Sequence, residues 1–390
     1  MSAGTASEHA LVDAVERVAP SARARADETE RGRRLPLDLV GALAETGVFR
    51  ACVPRSVGGV EADPADLVRA IEILAEADGA AGWCAMIGAT SGLVAGYLEP
   101  ETAQQIYGDP RGIAGGVYAP SGKAAPVDGG YRVTGRWAFG SGCEHCSWLM
   151  GGSVIVENGA PRLLPNGLPD APLMLFPAAD AEIIDTWTVS GLRGTGSHDI
   201  AVRDLLVPAA RAVSLVRDRP RERGPLYAFP VFGLLALGIA AVAVGIARRA
   251  IEELIALAGG KTPTGSRRVL AERQVVQAQT SEAEALLRSG RAFLYDAIGA
   301  ASEEARREGG IGTRARLDVR LAATNATHSA AKAVDLMYTA GGGTAVYATS
   351  PLQRCFRDVH VVTQHLMVAP ATYELTGRVL LGLGTDTSQL

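Results

Sequence analysis

His365 closes the run at residues 351–365, PLQRCFRDVHVVTQH, and an imidazole there can take or give a proton near neutral pH. Upstream, residues 192–197 read LRGTGS and crowd Arg193, the hydroxyls of Thr195 and Ser197 and two glycines into six positions. That composition can hold an anionic or polar ring edge with backbone and side-chain donors, although a tight turn with a solvated arginine has the same composition. His360 and His198 are weaker candidates, each read as a structural residue satisfied by its neighbours. Cys143 and Cys146 form a CxxC around His145, but a closed zinc site needs a second ligand pair at comparable spacing, so no metal is expected. No GxGxxG follows a strand-like run, so a nicotinamide site is not expected either.

Three kinds of sequence must position these residues. Residues 8–112 are helical in pattern, with apolar positions at three- and four-residue steps and breaks at Pro36, Gly58-Gly59 and Pro100. From 113 to about 208 short alternating or β-branched runs take over, separated by Gly, Pro, Asn and Asp turns, which reads as a small β-sandwich or barrel. The charged stretch RDRPRERG at 217–224 is a linker. Long helices are then expected at 234–258, 267–301, 314–338 and 358–382, joined by short connections as an antiparallel bundle. The fold class is α+β, divided as 1–112 (helical), 113–215 (β) and 225–390 (helical).

Composition narrows the functions. With 47% hydrophobic residues the chain folds around a sizeable core, and 38 basic against 42 acidic side chains leave a formal charge of −4, too little positive field for nucleic acid. The N-terminal stretch MSAGTASEHALVDAVERV lacks a basic start followed by an apolar core, so a cytoplasmic protein is expected. Residues 229–247 carry no charge and approach membrane-spanning length, but Ala and Gly dominate and Glu252 and Glu253 follow, so a buried bundle helix is expected and no membrane. Five cysteines in a large chain do not form a disulfide framework.

Residues 187–199, WTVSGLRGTGSHD, together with the run ending at His365, resemble the acyl-CoA dehydrogenase superfamily, over nearly the whole chain. Within it they are similar to the flavin-dependent monooxygenase branch, which includes the oxygenase components of two-component hydroxylases. The resemblance implies an N-terminal helical domain, a central β-barrel or sandwich and a C-terminal four-helix bundle. It implies that Phe139 covers a flavin ring and Ser141 meets its redox-active edge, with Tyr118 and Ser121 of GGVYAPSGKA in a loop along the flavin. Arg193, Thr195 and Ser197 would hold the polar rim, and Arg268 or Arg267 would reach cofactor phosphate. Gly342 and Gly343 would approach a flavin bound chiefly by a neighbouring subunit, making the protein a homotetramer. Trp83, Ser91, Gln364 and Leu366 would line the substrate pocket.

The resemblance also locates a missing group. Removing an α-proton from an acyl thioester needs a carboxylate, and the family's glutamate position, counted from Arg357-Asp358, falls at Leu366. The alternative position falls in the apolar stretch 238–243. The implied activity is therefore oxygenation: a separate flavin reductase delivers FMNH2 or FADH2, and one oxygen of O2 enters a small organic, aromatic substrate through a flavin hydroperoxide. His365 handles the substrate proton and Ser141 supports the flavin edge. Phenol hydroxylases of the branch often add a histidine where this chain has Ala89, Thr90 and Ser91, so N-oxygenation, S-oxygenation and oxidation of a polyketide-like ring stay open. The other readings are an acyl-CoA dehydrogenase with a displaced base and a non-catalytic scaffold of the same fold.

Overall fold

The structure, a computed structural model, describes residues 9–388 and 390. The first eight residues, part of the stretch read for a leader, lie outside the described residues. Six helices come first: α1 (Ala10–Ala24), α2 (Ala26–Gly32), α3 (Leu37–Glu45), α4 (Pro64–Ala77), α5 (Gly79–Ser91) and α6 (Pro100–Tyr107). Eight strands follow: β1 (Ala114–Val127), β2 (Gly130–Gly140), β3 (Trp148–Glu157), β4 (Ala160–Pro161), β5 (Leu173–Pro177), β6 (Glu182–Ile184), β7 (His198–Pro208) and β8 (Ala212–Val213). The helices α7 (Pro225–Ala228), α8 (Val231–Gly260), α9 (Gln274–Glu308), α10 (Thr313–Gly341), α11 (Pro351–Val362) and α12 (Ala371–Leu380) complete the chain.

The strands make one mixed sheet, ordered β6-β7-β2-β1-β3-β5-β8, in place of the two layers of a sandwich. Only β1 and β3 run parallel among the named pairs. The sheet curls, because Trp137 of β2 meets Phe176 of β5 at 5.9 Å although two strands separate them in the order. Period-two alternation fixes which residues face inward but not how far the sheet bends, so the sequence could not decide between these forms. Glycines clear the centre: a Cβ on Gly151, Gly122 or Gly135 would fall 2.3, 2.4 or 2.6 Å from the Trp137 ring. The Trp137 indole N–H, otherwise stranded in an apolar core, donates to the Gly152 carbonyl at 2.7 Å.

The apolar helix α8 is the core of the helical part, with 89% of its most apolar window buried, and not a membrane span. Its small residues permit backbone-to-backbone approach: a Cβ on Gly245 would lie 2.3 Å from the Glu72 carbonyl of α4. Where helices join, Glu72 is almost fully buried yet accepts from Arg291 at 2.7 Å and Tyr295 at 2.8 Å, tying α4 to α9.

Two helix boundaries differ from expectation. The third-last long helix begins at Gln274, not 267, because residues 261–273, with Pro263 and Gly265, form a loop closed by Leu270 N–H donating to Lys261 O at 2.7 Å. Arg267 and Arg268 therefore sit on a loop. The last helix is two pieces: α11 ends at Val362, and α12 begins after Pro370. Between them the chain turns extended at His365 (φ −71°, ψ 132°), whose Nδ1 accepts the Met367 N–H at 3.2 Å. Pro370, the N-cap of α12, has no N–H to give back to residue 366, so α12 starts as a separate helix beyond the imidazole.

Candidate active site

Helix α5 is the axis of the site. Its N-terminus is capped by Asp78, whose carboxylate accepts the Ala81 N–H at 2.9 Å, and it carries Trp83 inward. The Trp83 indole N–H donates to Ser141 Oγ at 2.9 Å, while its ring packs on His365 with centroids 5.8 Å apart. The two residues expected to do chemistry are thus joined through one tryptophan.

Ser141 reaches inward because the chain reverses at the end of β2. Phe139 has φ +68°, a left-handed value that a phenylalanine rarely takes, and Gly142 follows at +67°. The reversal leaves Ser141 buried and turns the Phe139 ring out, 69% exposed, against the edge of Trp187 at 6.1 Å. Such strain is held only where the surroundings over-determine it. Here Gly142 N–H donates to Thr195 O at 2.8 Å and fixes the turn to the LRGTGS segment.

That segment is folded by two left-handed residues, Leu192 (φ +49°) and Gly196 (φ +51°), which aim Thr195 and Ser197 the same way. Ser197 Oγ lies 2.7 Å from Ser141 Oγ and 2.7 Å from Thr195 Oγ1, and the Thr195 hydroxyl donates to Leu192 O at 2.8 Å. All three hydroxyls are buried. Helix α11 holds the segment from outside: buried Asp358 accepts the Leu192 N–H at 2.6 Å, and a Cβ on Gly191 would fall 2.3 Å from Arg357 O. Burial pushes the Asp358 carboxyl up to about 7, with the Leu192 N–H pulling against it, and burial likewise raises Asp78 to about 6.

The His365 ring is neutral: burial, helped by the charge of Arg320, lowers it to about 4. Its Nδ1 is an acceptor toward Met367 N–H, so the imidazole proton belongs to Nε2, which donates in the plane of the ring. An imidazole in this state gives a hydrogen bond readily and takes a proton poorly, which differs from the near-neutral base that the sequence implies. The backbone hydrogen bond that sets the tautomer is invisible in sequence.

Other expected residues lie nearby or elsewhere. Ser91, on α5 two turns beyond Trp83, is buried with an Oγ that makes no hydrogen bond, and Tyr118 is half-buried with its ring edge on Phe232 at 6.4 Å. Arg193 lies 3.8 Å from Glu30, with its side chain partly exposed. Ser121 is exposed where β1 loses register with β3 between Val117 and Gly122, a strand irregularity in place of the expected loop. Gln364 and Leu366 flank His365 on the exposed side, and Arg268, Gly342 and Gly343 are exposed at the bundle. His198 accepts the Thr186 and Trp187 N–H groups at 3.3 Å each, and His360 pairs with Asp335 at 2.9 Å, the structural roles expected of them. The cysteines are all free.

Sequence reading passed over two residues. Asp358 anchors the LRGTGS segment, and Trp187 backs the exposed Phe139 ring and donates its indole N–H to Leu192 O at 3.1 Å. A legible signal existed for the first: an acid on the same helical stripe as Cys355, Val359 and Val362 is a buried acid.

The chain is similar to known proteins over nearly all of its length. Residues 5–104 match the model of the acyl-CoA dehydrogenase N-terminal domain, and residues 237–370 match that of an acyl-CoA dehydrogenase C-terminal domain. Indole-3-acetate monooxygenase of Pseudomonas putida is 36% identical over 92% of this chain and 90% of its own length. The flavin-dependent monooxygenase oxygenase subunit HsaA of Rhodococcus jostii is 32% identical over 94% of this chain and 97% of its own. The crystal structure of XiaF from Streptomyces in complex with FADH2 and glycerol superposes with a TM-score of 0.87 at 26% identity, over 96% of each chain. With matching models at both helical ends and relatives aligned across the sheet between them, the chain belongs to the acyl-CoA dehydrogenase superfamily, in its flavin-dependent monooxygenase branch.

Proposed function

We propose that the protein is the oxygenase component of a two-component monooxygenase, using FMNH2 or FADH2 from a separate reductase, and O2, to insert one oxygen atom into a small aromatic substrate. The observation that carries this reading is the Trp83 bridge, which joins a buried hydroxyl and a neutral imidazole where the family's base positions hold Leu366 and the apolar stretch 238–243. A site built so has the His365 N–H to donate to a reacting oxygen and, at those two positions, no carboxylate to take an α-proton.

The residues present suit a flavin. An exposed Phe139 ring backed by Trp187 offers an aromatic face, and the buried hydroxyls beside it suit a polar rim. Bound reduced flavin supplies two electrons to O2, so that one oxygen leaves in the product and the other as water. Phe139 and Trp187 would hold the ring, with Ser141 at its edge and Thr195 and Ser197 behind. The His365 Nε2–H would point at the reacting oxygen or the substrate hydroxyl, and Trp83, Ser91 and Tyr118 would shape a pocket that excludes water. Arg268, Gly342 and Gly343 would serve the flavin of a neighbouring subunit in a homotetramer, a reading supported by Val346, Tyr347, Leu380 and Leu381, all more than half exposed in the single chain. A cytoplasmic location suits a reductase-fed enzyme.

Supplied with a flavin reductase, the protein is expected to consume O2 and yield oxygenated product from an aromatic panel that begins with indole-3-acetate and simple phenols. With oxidised flavin and no reductase present, acyl-CoA thioesters are expected to leave an artificial electron acceptor unreduced. Acceptor reduction by acyl-CoA with no oxygenated product would overturn the reading in favour of dehydrogenation.

A further inference from the structure

The hydroxyl cluster at the centre of the site has a direction. At one end, the Trp83 indole N–H can only donate, and it donates to Ser141 Oγ at 2.9 Å. At the other end, the Leu192 carbonyl can only accept, and the Thr195 hydroxyl sits 2.8 Å from it. Between the two ends lie three short oxygen–oxygen links, Ser141–Ser197, Ser197–Thr195 and Thr195–Leu192, and three hydroxyl protons to fill them. The carbonyl, which also accepts the Thr195 N–H and the Trp187 indole N–H at 3.1 Å each, brings no proton, so the three short oxygen–oxygen contacts are all bridged only when each takes one hydroxyl proton. Ser141 therefore donates to Ser197, Ser197 to Thr195 and Thr195 to Leu192 O. Reversing any hydroxyl would press two lone pairs together at 2.7–2.8 Å in a buried place, where an unmade hydrogen bond is costly.

The consequence falls on Ser141. Its proton is committed inward and one lone pair is taken by Trp83, so toward a ligand it offers a single lone pair and is an acceptor only. A reduced flavin carries a hydrogen on N5, whereas the oxidised flavin presents a lone pair there. We infer that the chain Trp83–Ser141–Ser197–Thr195–Leu192 selects the reduced flavin, by holding Ser141 as an acceptor that matches N5–H and repels the bare N5. This rests on the flavin reading above and adds a reason why a protein with no reductase of its own favours the carrier's reduced form over the oxidised form it must release. Ser197 and Thr195 act through Ser141 and are positioning residues.

The test is the ratio of dissociation constants for oxidised and reduced flavin, measured with FMN and FAD by fluorescence titration in air and by anaerobic titration. The same ratio is read independently from the bound flavin's two-electron potential, in which a tenfold change is about 30 mV. The wild type is expected to bind reduced flavin the more tightly. Ser197→Ala frees the Ser141 proton to turn outward, so the preference is expected to fall about three- to tenfold, chiefly through tighter binding of the oxidised form. Thr195→Val, which removes the fixed end of the chain, shifts the ratio the same way, and Thr195→Ser restores it. Because each ratio is taken within one variant, a general loosening of the fold cancels. An unchanged ratio in Ser197→Ala and Thr195→Val overturns the inference. If Ser141→Ala also leaves the ratio unchanged while reduced flavin still binds, Ser141 does not meet N5 and the inference fails with the flavin reading intact. If neither flavin form binds the wild type, the flavin reading itself fails.

Discussion

Replacing His365 by alanine lowers product formation by about two to four orders of magnitude, the usual worth of a positioned proton donor or acceptor, while reduced flavin still binds. O2 continues to be consumed in this variant and appears as hydrogen peroxide, because activation of O2 needs the flavin and transfer to substrate needs the imidazole. The surroundings of the ring favour a donor over a base. Nδ1 accepts the Met367 N–H, and the pKa lies at about 4, so at working pH the ring is a neutral Nε2–H donor. Product yield per reduced flavin is therefore expected to be flat between about pH 6 and 9, where an unperturbed histidine base would show a rise through its titration. His365→Gln, which can donate but cannot take a proton at these pH values, retains more product than His365→Ala. Chromatographic product yields from the two variants across that pH range decide the matter: equal loss in both, with a pH-dependent wild type, would mean that the ring acts as a base.

Asp358→Ala weakens reduced-flavin binding by about tenfold or more, although the carboxyl faces the far side of the LRGTGS segment. The substitution leaves the buried Leu192 N–H without its acceptor at 2.6 Å, a loss of roughly 1–3 kcal/mol, and releases the segment that carries Thr195 and Ser197. Asp358→Asn keeps an acceptor oxygen and separates geometry from charge. In the folded chain Asp358 holds its proton up to about pH 7, against an ordinary value of 3.8. The neutral carboxyl thus favours folding fully below the ordinary value, and this contribution drains away as pH rises toward 7, by about 1.4 kcal/mol for each pH unit crossed between the two. Asparagine never ionises. The melting temperature of Asp358→Asn, relative to wild type, is therefore expected to rise from pH 5 to pH 8, then level off. Asp78, raised to about 6 by the same burial, contributes with the same sign over a narrower window. A variant that loses more stability at pH 8 than at pH 5 would mean that Asp358 anchors the segment as a charge.

Much of this molecule is legible in its residues, and the parts that are not share a cause. Helical periods and β-branched runs place the helical, β, helical order, and the pair formed by residues 187–199 and the run ending at His365 points to the site. Periodicity speaks for a segment in isolation. It could not show that β2 and β5 close around Trp137 through Gly122, Gly135 and Gly151, since each glycine matters only against a side chain brought to it by the fold. Nor could it stop the last helix at Val362, because the turn is sealed by the His365 side chain on Met367. Ser141 and His365 were legible as candidates, but their working states were not. One is set by Trp83, 58 residues away from Ser141, and the other by a single backbone N–H. The neighbour of Arg193 was illegible for the converse reason: Glu30, 3.8 Å away, is brought in by α2 from far off in the sequence.

The most direct measurement is to run the protein with a flavin reductase under isotopically labelled O2, with indole-3-acetate or whichever aromatic compound the panel selects, and weigh the product. Monooxygenation by this site requires one heavy oxygen atom in the product and the other in water. A product heavier by one labelled oxygen bears out the account, and its loss in His365→Ala ties the transfer to the site. A product whose added oxygen comes from water, or one that has lost two hydrogens and gained no oxygen, contradicts it.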